Sequence, residues 1–317
     1  MTCFSCYHEF MSTSYRYVYN RIKIIKRIFQ DHWEEFLDRY KDKIPEDMQA
    51  SVIEAVSKML RCGTKEMGYA IYMCTNCREH PEKIVFFTCK SRFCTSCGKA
   101  YVDDWVDKMS TQILNVSHRH LVFTIPEHLR TKIYWNRELL KVLSDIAAKV
   151  VMESIHNATS GIITVVHTFG RDLGFNPHVH VLMTEGGLND DANWVDVNFI
   201  PYSRLRKQWQ YYLLTKLKKH FPETKDVKDV SELIDELFSK YPNGFYVNAE
   251  NKMDNARKAA KYVGRYIARP AIAESRIQDY DGETVTFSYK DHETHTKTMK
   301  QEKQSQRNCQ YCNSLVA

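Results

Sequence analysis

Four Cys-x-x-Cys pairs, Cys3/Cys6, Cys74/Cys77, Cys94/Cys97 and Cys309/Cys312, take up eight of the ten cysteines in the 317 residues. Cys62 and Cys89 are the other two. Two thiols three residues apart sit on one tight turn and offer a tetrahedral ion two soft ligands. Residues 1–20 are polar and aromatic and lack the apolar centre of an export signal. In a reducing compartment such as the cytoplasm, this spacing reads as metal binding rather than as disulfides. Cys74/Cys77 and Cys94/Cys97, sixteen residues apart, have the spacing of a structural zinc ribbon, two knuckles on two small hairpins closing a four-thiolate shell. Such an ion organises the fold and leaves no open position for chemistry. Cys62, Cys89 and His80 are spare, as replacement ligands, a second ion's ligands, or packing. Cys3/Cys6 and Cys309/Cys312 could build a second four-thiolate site only if the termini meet.

The length suggests about two domains. With 43% hydrophobic and 26% charged residues the chain can bury a core, and no run reaches the ~18 apolar residues that span a bilayer. The net charge of +6 is compatible with nucleic acid without establishing it.

Residues 23–60 have the three-and-four spacing of helices, with Ile24, Ile25, Ile28, Phe29, Trp33, Phe36 and Leu37 on one buried face. Two short strands are expected at 69–73 and 84–87, and a helix at 102–113. The pattern then changes. Strands are expected at 120–125, 162–168, 178–184 and 244–247, and helices at 134–156, 202–220 and 252–268, the last ended by Pro270. A strand at 195–200 and a helix at 231–238 fall between them. Strand, helix, strand, strand, helix, strand is the order of the ferredoxin-like split βαβ unit, so the fold class is α+β with an antiparallel sheet and helices on one face. Residues 284–289 and 294–298 suit a closing hairpin, and the polar stretch from 300 reads as a tail.

His178 and His180, in Asn176-Pro177-His178-Val179-His180-Val181, leave the same face of a strand while the valines enter the core. Two adjacent imidazoles can grip one divalent cation and leave coordination positions free; the plain alternative is a polar strand face. His167 lies on the preceding strand. A hairpin turning near Asp172 makes residues 167 and 178 cross-strand partners, which brings a third imidazole to the same ion unless His167 is an ordinary strand-end histidine. Tyr262 and Tyr266, at i and i+4 on a helix, project from one face. Tyrosines at this spacing are usually core, yet Lys258, Lys261, Arg265 and Arg269 surround them with positive charge, as a phosphate backbone lying along the helix would require. An ion held by imidazoles polarises a phosphodiester, and a tyrosine can attack the phosphorus and keep the ester energy in a covalent link.

In this combination of motifs the chain resembles the two-tyrosine HUH transposases of rolling-circle insertion sequences (insertion-sequence family ninety-one type). The resemblance runs from about residue 28 to 289 through "CKSRFCTSCGKAYVDDWV", "HLVFTIPEHLR", "HTFGRDLGFNPHVHVLMTEGG" and "KYVGRYIARPAIAESRI". It implies an N-terminal zinc-binding DNA-recognition domain, an HUH nuclease domain, a magnesium or manganese ion, and 5′-phosphotyrosine intermediates on single-stranded DNA at element ends and target. By that match His178 and His180 are metal ligands and Tyr262 and Tyr266 the nucleophiles. The resulting division is a divergent leader at 1–22, a helical zinc-binding domain at 23–113, the nuclease domain at 114–289, and a disordered or truncated tail at 290–317. A replication initiator of a plasmid or phage would use the same chemistry, but no Gly-x-x-x-x-Gly-Lys loop of a helicase is present. A catalytically inactive zinc-dependent DNA-binding module and a zinc hydrolase built on the three histidines are the remaining readings; the latter lacks an evident acidic base.

Overall fold

The computed structural model describes residues 23–72, 83–91, 93–155, 157–197, 200–221, 227–267, 272–290 and 297–303. The architecture is α+β. Helix α1 (Ile24–Tyr40) buries Ile25, Phe29, Trp33 and Phe36, while its other face carries the i,i+4 pairs Arg27–Asp31 and Arg39–Glu35. Helix α2 (Glu46–Arg61) starts after Pro45 and buries Val52, Val56 and Met59. The expected short strands form an antiparallel ribbon of β1 (Tyr69–Tyr72) and β2 (Lys83–Phe86), with Tyr69 opposite Phe86. Helix α3 (Thr95–Gln112) begins seven residues before the expected position of 102, because the Cys94-x-x-Cys97 knuckle is itself the first turn of the helix, with Cys94 at its N-cap.

The main sheet has the order β4-β5-β3-β8 with every pair antiparallel. Its strands are β3 (His118–Thr124), β4 (Ile162–Phe169), β5 (Phe175–Thr184) and β8 (Val247–Met253). Between β3 and β4 the chain makes α4 (Glu127–Trp135), which was not expected, and α5 (Leu139–Ser154), which starts later than the helix expected from 134. Strand β5 is followed by a small ribbon of β6 (Gly186–Leu188) and β7 (Trp194–Asp196), then by α6 (Tyr202–His220) and α7 (Val227–Lys240). This is the split βαβ arrangement.

Period-two alternation sorts the sheet's side chains onto two faces. Leu121, Phe123, Val179, Val181 and Met183 share one core with Leu143 and Val150 of α5 and Trp209 and Leu213 of α6. Trp209 Nε1 also donates to Thr124 O at 2.8 Å. Helices were expected on one face only. The opposite face is covered too, by α8 (Ala256–Ile267), whose Ala259 and Val263 pack with Leu182 and Met253. Helix α8 starts four residues later than expected, since Lys252 and Met253 remain in β8 opposite Arg119 and His118. Asn255 then caps it, its Oδ1 accepting from Lys258 N at 2.9 Å.

The C-terminal residues form a three-stranded sheet, β9 (Ile277–Tyr280), β10 (Thr284–Lys290) and β11 (Lys297–Lys303), in the order β11-β10-β9. The expected hairpin is therefore present, but its second strand occupies residues that read as the start of a tail. Backbone pairing to β10, Lys290 opposite Lys297 through Thr284 opposite Lys303, orders a polar sequence that has no apolar pattern of its own. Residues 304–317 and 1–22 lie outside the described residues. Ile277, Val285 and Phe287 of this sheet, grouped from the sequence with the nuclease segment, share a core with Ile25, Phe29, Cys94 and Cys97. Tyr280 Oη donates to Asp31 Oδ2 at 2.8 Å and Thr95 Oγ1 to Glu274 Oε1 at 3.0 Å. Leu173, in the turn joining β4 to β5, is 2% exposed and joins that same core. It does so at φ 71°, a left-handed conformation that costs a non-glycine residue of order 1 kcal/mol. Among the described residues no helix is long and apolar enough to cross a membrane.

Helix α3 crosses α8 at Gly264, the residue between the two tyrosines' turns. A Cβ there would lie 2.7 Å from Val106 Cγ2 and 3.5 Å from Trp105 and Val102 side-chain carbons. Helix propensity favours alanine over glycine by about 1 kcal/mol, whereas overpacking costs about 1–3 kcal/mol. Gly264→Ala should therefore lower the thermal midpoint. In a Val106→Ala background the same change should be neutral or stabilising, a sign reversal that a double-mutant cycle of melting curves would read.

Candidate metal and tyrosine centre

Cys62, at the C-terminal end of α2, and Cys89, after β2, meet Cys94 and Cys97 at the start of α3. Their sulfurs lie within 4.8 Å of one another, with Cys62–Cys97 at 3.5 Å and Cys89–Cys97 at 3.6 Å. All four are free thiols. Zn–S bonds of about 2.3 Å put the sulfurs of a tetrahedral site about 3.8 Å apart, so the donor set and its spacing fit zinc. Backbone N–H groups of Cys89 and Ser91 point at the sulfurs of Cys62 and Cys89, at 3.3 and 3.5 Å. Hydrogen bonds from Cys62 and Cys89 hold the Cys97 thiol down to about 7, and those from Cys62, Cys89 and Cys97 depress Cys94 as well. The set differs in two members from the expected Cys74, Cys77, Cys94 and Cys97. Among the described residues Cys62 and Cys89, which read as spare, stand beside Cys94 and Cys97, because the end of α2 and the segment after the ribbon converge on the α3 knuckle. Cys74 and Cys77 lie outside the described residues, as do Cys3, Cys6, Cys309, Cys312 and His80.

The second cluster is on the α8 face of the main sheet. His167 on β4 and His178 on β5 are register partners. Their facing nitrogens, Nδ1 and Nε2, are 3.3 Å apart. With His180, two residues on along β5, they place three ring nitrogens within 4.8 Å. His178 Nδ1 is 2.6 Å from Asn176 O, so it carries the hydrogen and leaves Nε2 as a lone pair facing inward. His180 Nε2 is buried with no hydrogen-bond partner. A bare buried nitrogen is costly unless something fills its lone pair, and a cation bound jointly to the three nitrogens would do so. Burial, followed by the neighbouring His178, pushes His167 down to about 3 and His180 lower. Both rings are therefore neutral at ordinary pH, the state a metal ligand needs.

Tyr262 and Tyr266 are on the side of α8 that faces these histidines. Tyr266 stacks on His180 with ring centroids 3.7 Å apart, and its hydroxyl is 3.4 Å from that of Tyr262. The two phenols and the three imidazoles are thus one site. Lys258 and Lys261 are exposed, Lys258 paired with Asp254 at 3.2 Å. The side chains of Arg265 and Arg269 lie outside the described residues.

Sequence reasoning missed His120. It is on β3, fully buried, with Nε2 2.8 Å from His180 Nδ1 and its ring 4.8 Å from that of Tyr262. The signal was available: His118-Arg119-His120 is a second His-x-His, placed by the strand's alternation on the α8 face.

Two stretches of the chain match known families. Residues 28–125, which hold all four clustered thiols and His120, match the family described as "Transposase zinc-binding domain". Residues 161–309, which hold the other three histidines and both tyrosines, match the family described as "Putative transposase" (Y2_Tnp). The "Transposase for insertion sequence element IS801" of Pseudomonas savastanoi pv. phaseolicola is 33% identical over 252 residues, 76% of this chain and 61% of the relative. The "Putative transposase y4qJ" of Sinorhizobium fredii (strain NBRC 101917 / NGR234) is 26% identical over 251 residues, 73% of this chain and 62% of the relative. The chain thus spans about six tenths of the length of these curated relatives. No solved structure matches it.

Two outcomes are expected. Cys62→Ser and Cys89→Ser should each release bound zinc, measured by elemental analysis, and lower the thermal midpoint; full zinc content in both variants would exclude them as ligands. For the histidines, the unfolded chain takes up protons near pH 6.5 and the folded His167 only near pH 3. Neutral burial therefore leaves stability intact above about pH 6.5 and erodes it as pH falls from there towards the folded value. With no ion at the histidines, the loss of melting temperature between about pH 7.5 and 5.5 should be smaller in His167→Phe than in the unmodified chain.

Proposed function

The chain belongs to the IS91-type transposase family, and on that premise we propose that it nicks and rejoins single-stranded DNA by tyrosine transesterification. The observation that carries the reading is the stacking of Tyr266 on His180, with the Tyr262 hydroxyl beside its own. A phenol oxygen of either residue attacks a phosphodiester phosphorus. The bond from tyrosine oxygen to phosphorus forms, the bond to the 3′ oxygen breaks, and the freed strand takes a proton at its 3′ hydroxyl. The product is a 5′-phosphotyrosine whose ester energy serves the later rejoining, with no nucleotide cofactor. Two adjacent phenols let one centre hold two such links.

His167, His178 and His180 are the ligands of a divalent ion, Mg²⁺ or Mn²⁺, which when bound polarises the phosphodiester and offsets the charge developing on its oxygens. Imidazole donors favour Mn²⁺ of the two. Structural zinc sits on Cys62, Cys89, Cys94 and Cys97. Lys258, Lys261 and Arg265 of α8, with Arg269 beyond it in the sequence, contact the DNA backbone. A replication initiator would use the same centre; the zinc-binding segment and relatives named as transposases favour the present reading.

A single-stranded oligonucleotide bearing the element end should give a protein–DNA adduct that survives SDS in the presence of Mn²⁺ or Mg²⁺. Tyr262→Phe and Tyr266→Phe alone should each leave one linkage, and the double variant should fall to background. An undiminished adduct in the double variant would remove both tyrosines from the chemistry.

A further inference from the structure

His120 lies on an interior strand of the sheet with 0% exposure, on the α8 face, where its register partner Leu182 is apolar and packs with Ala259 and Val263. An apolar residue would fill the position without the cost of burying an imidazole. The polar ring is oriented: Nε2 is 2.8 Å from His180 Nδ1, and the two rings are nearly coplanar, 12° apart.

A neutral imidazole carries one N–H. His180 Nε2 can offer a lone pair only if Nδ1 bears the hydrogen, and the group facing Nδ1 is His120 Nε2. His120 must then accept. Were His120 the donor at that contact, His180 would carry its hydrogen on Nε2 and could not ligate. His120 also bounds the tyrosines' side of the centre, its ring edge-on to Tyr262 at 4.8 Å and within 9° of parallel to Tyr266 at 5.8 Å.

We propose that His120 is a positioning residue for this centre, holding His180 in the Nδ1–H tautomer and at the ring angle that turns Nε2 towards His167 and His178. The role parallels that of Asn176 O at His178 Nδ1: each β5 histidine has its outward nitrogen tied, one to a backbone carbonyl and one to another imidazole. Ligand histidines ordinarily need such an outer partner, and its loss typically costs 10–100-fold in metal affinity. The inference rests on the ligand assignment proposed above.

The test uses the full chain with its zinc retained and no DNA, with Mn²⁺ binding followed by electron paramagnetic resonance. His120→Gln keeps an acceptor near the Nε2 position; His120→Asn places its amide nearer Nδ1 and cannot reach His180. Asn should weaken Mn²⁺ binding by about 10–100-fold and Gln should retain most of it. With DNA added, the Asn variant should need correspondingly more Mn²⁺ for adduct formation and approach the unmodified yield at saturation. Asn binding as tightly as the unmodified chain, or Asn and Gln losing affinity equally, would overturn the proposal. Long-range ¹H–¹⁵N spectra of the unmodified, Mn²⁺-free chain give a check independent of any variant's folding: His180 should show Nδ1–H with Nε2 bare, and the opposite tautomer would overturn the proposal too. If the unmodified chain shows no Mn²⁺ binding that His178→Ala removes, the ligand assignment itself has failed, a result distinct from an unchanged Asn variant.

Discussion

The antiparallel pairing of β4 with β5 fixes where the three imidazoles of the centre can stand. With His167 opposite His178, alternation sends His178, His180 and Leu182 to one face and Val179, Val181 and Met183 to the other. A slip of one residue would put the imidazoles into the apolar core against α5 and α6 and the valines under α8. The register is held at the turn, where Gly170 N and Gly174 O pair at 2.8 Å and Asp172 Oδ1 accepts from Gly174 N. It is held again where Leu173 accepts a left-handed backbone to bury its side chain in the core of the thiol-bearing segment. The strained residue therefore ties the histidine hairpin to the other half of the molecule.

A second tie runs through the helices. Cys94 and Cys97 form the first turn of α3, and the same helix meets α8 at Gly264. Helix α8 has twelve residues, short enough to be marginal without tertiary contacts, so the phenols' position depends on what α8 rests against. On one side that is Leu182 and Met253 of the sheet; on the other it is Val102, Trp105 and Val106 of α3. An ion on the four thiols would fix the end of α3 and so act on the tyrosines through packing, although no thiol is part of the histidine–tyrosine cluster.

Features carried by a local period were legible in the sequence. The cross-strand pairing of His167 with His178 followed from strand alternation and one turn, and the shared face of Tyr262 and Tyr266 from helical spacing. What the sequence hid is long-range. Cys-x-x-Cys counting finds thiols that share a turn, as Cys94 and Cys97 do, and gives no hint that Cys62 arrives from the end of α2. His120 belongs to a second His-x-His, His118-Arg119-His120, but only the folded sheet sets it beside His180. Strand β11 has no apolar periodicity because backbone pairing, not burial, orders it. Helix α4 was hidden because only Leu129 and Ile133 of its nine residues are buried, too few to show a helical period.

The charge balance of the centre bears on what it can bind. Among the described residues its three-nitrogen cluster contains no carboxylate. Glu185, one residue past the end of β5, is occupied away from the histidines; burial raises its pKa, but hydrogen bonds from Lys252 and Arg119 outweigh that and keep it ionised. Neutral imidazoles leave the full charge of a divalent ion uncompensated in a partly desolvated site, where each unit of charge counts for more than in water. A carboxylate-lined site would neutralise its own ion and weaken its pull on an anion. On the proposed reading the missing negative charge comes from the ligand, and a phosphodiester would supply it beside the phenols. Histidines in place of acids would then leave the site's electrostatics complete only with a phosphate in place.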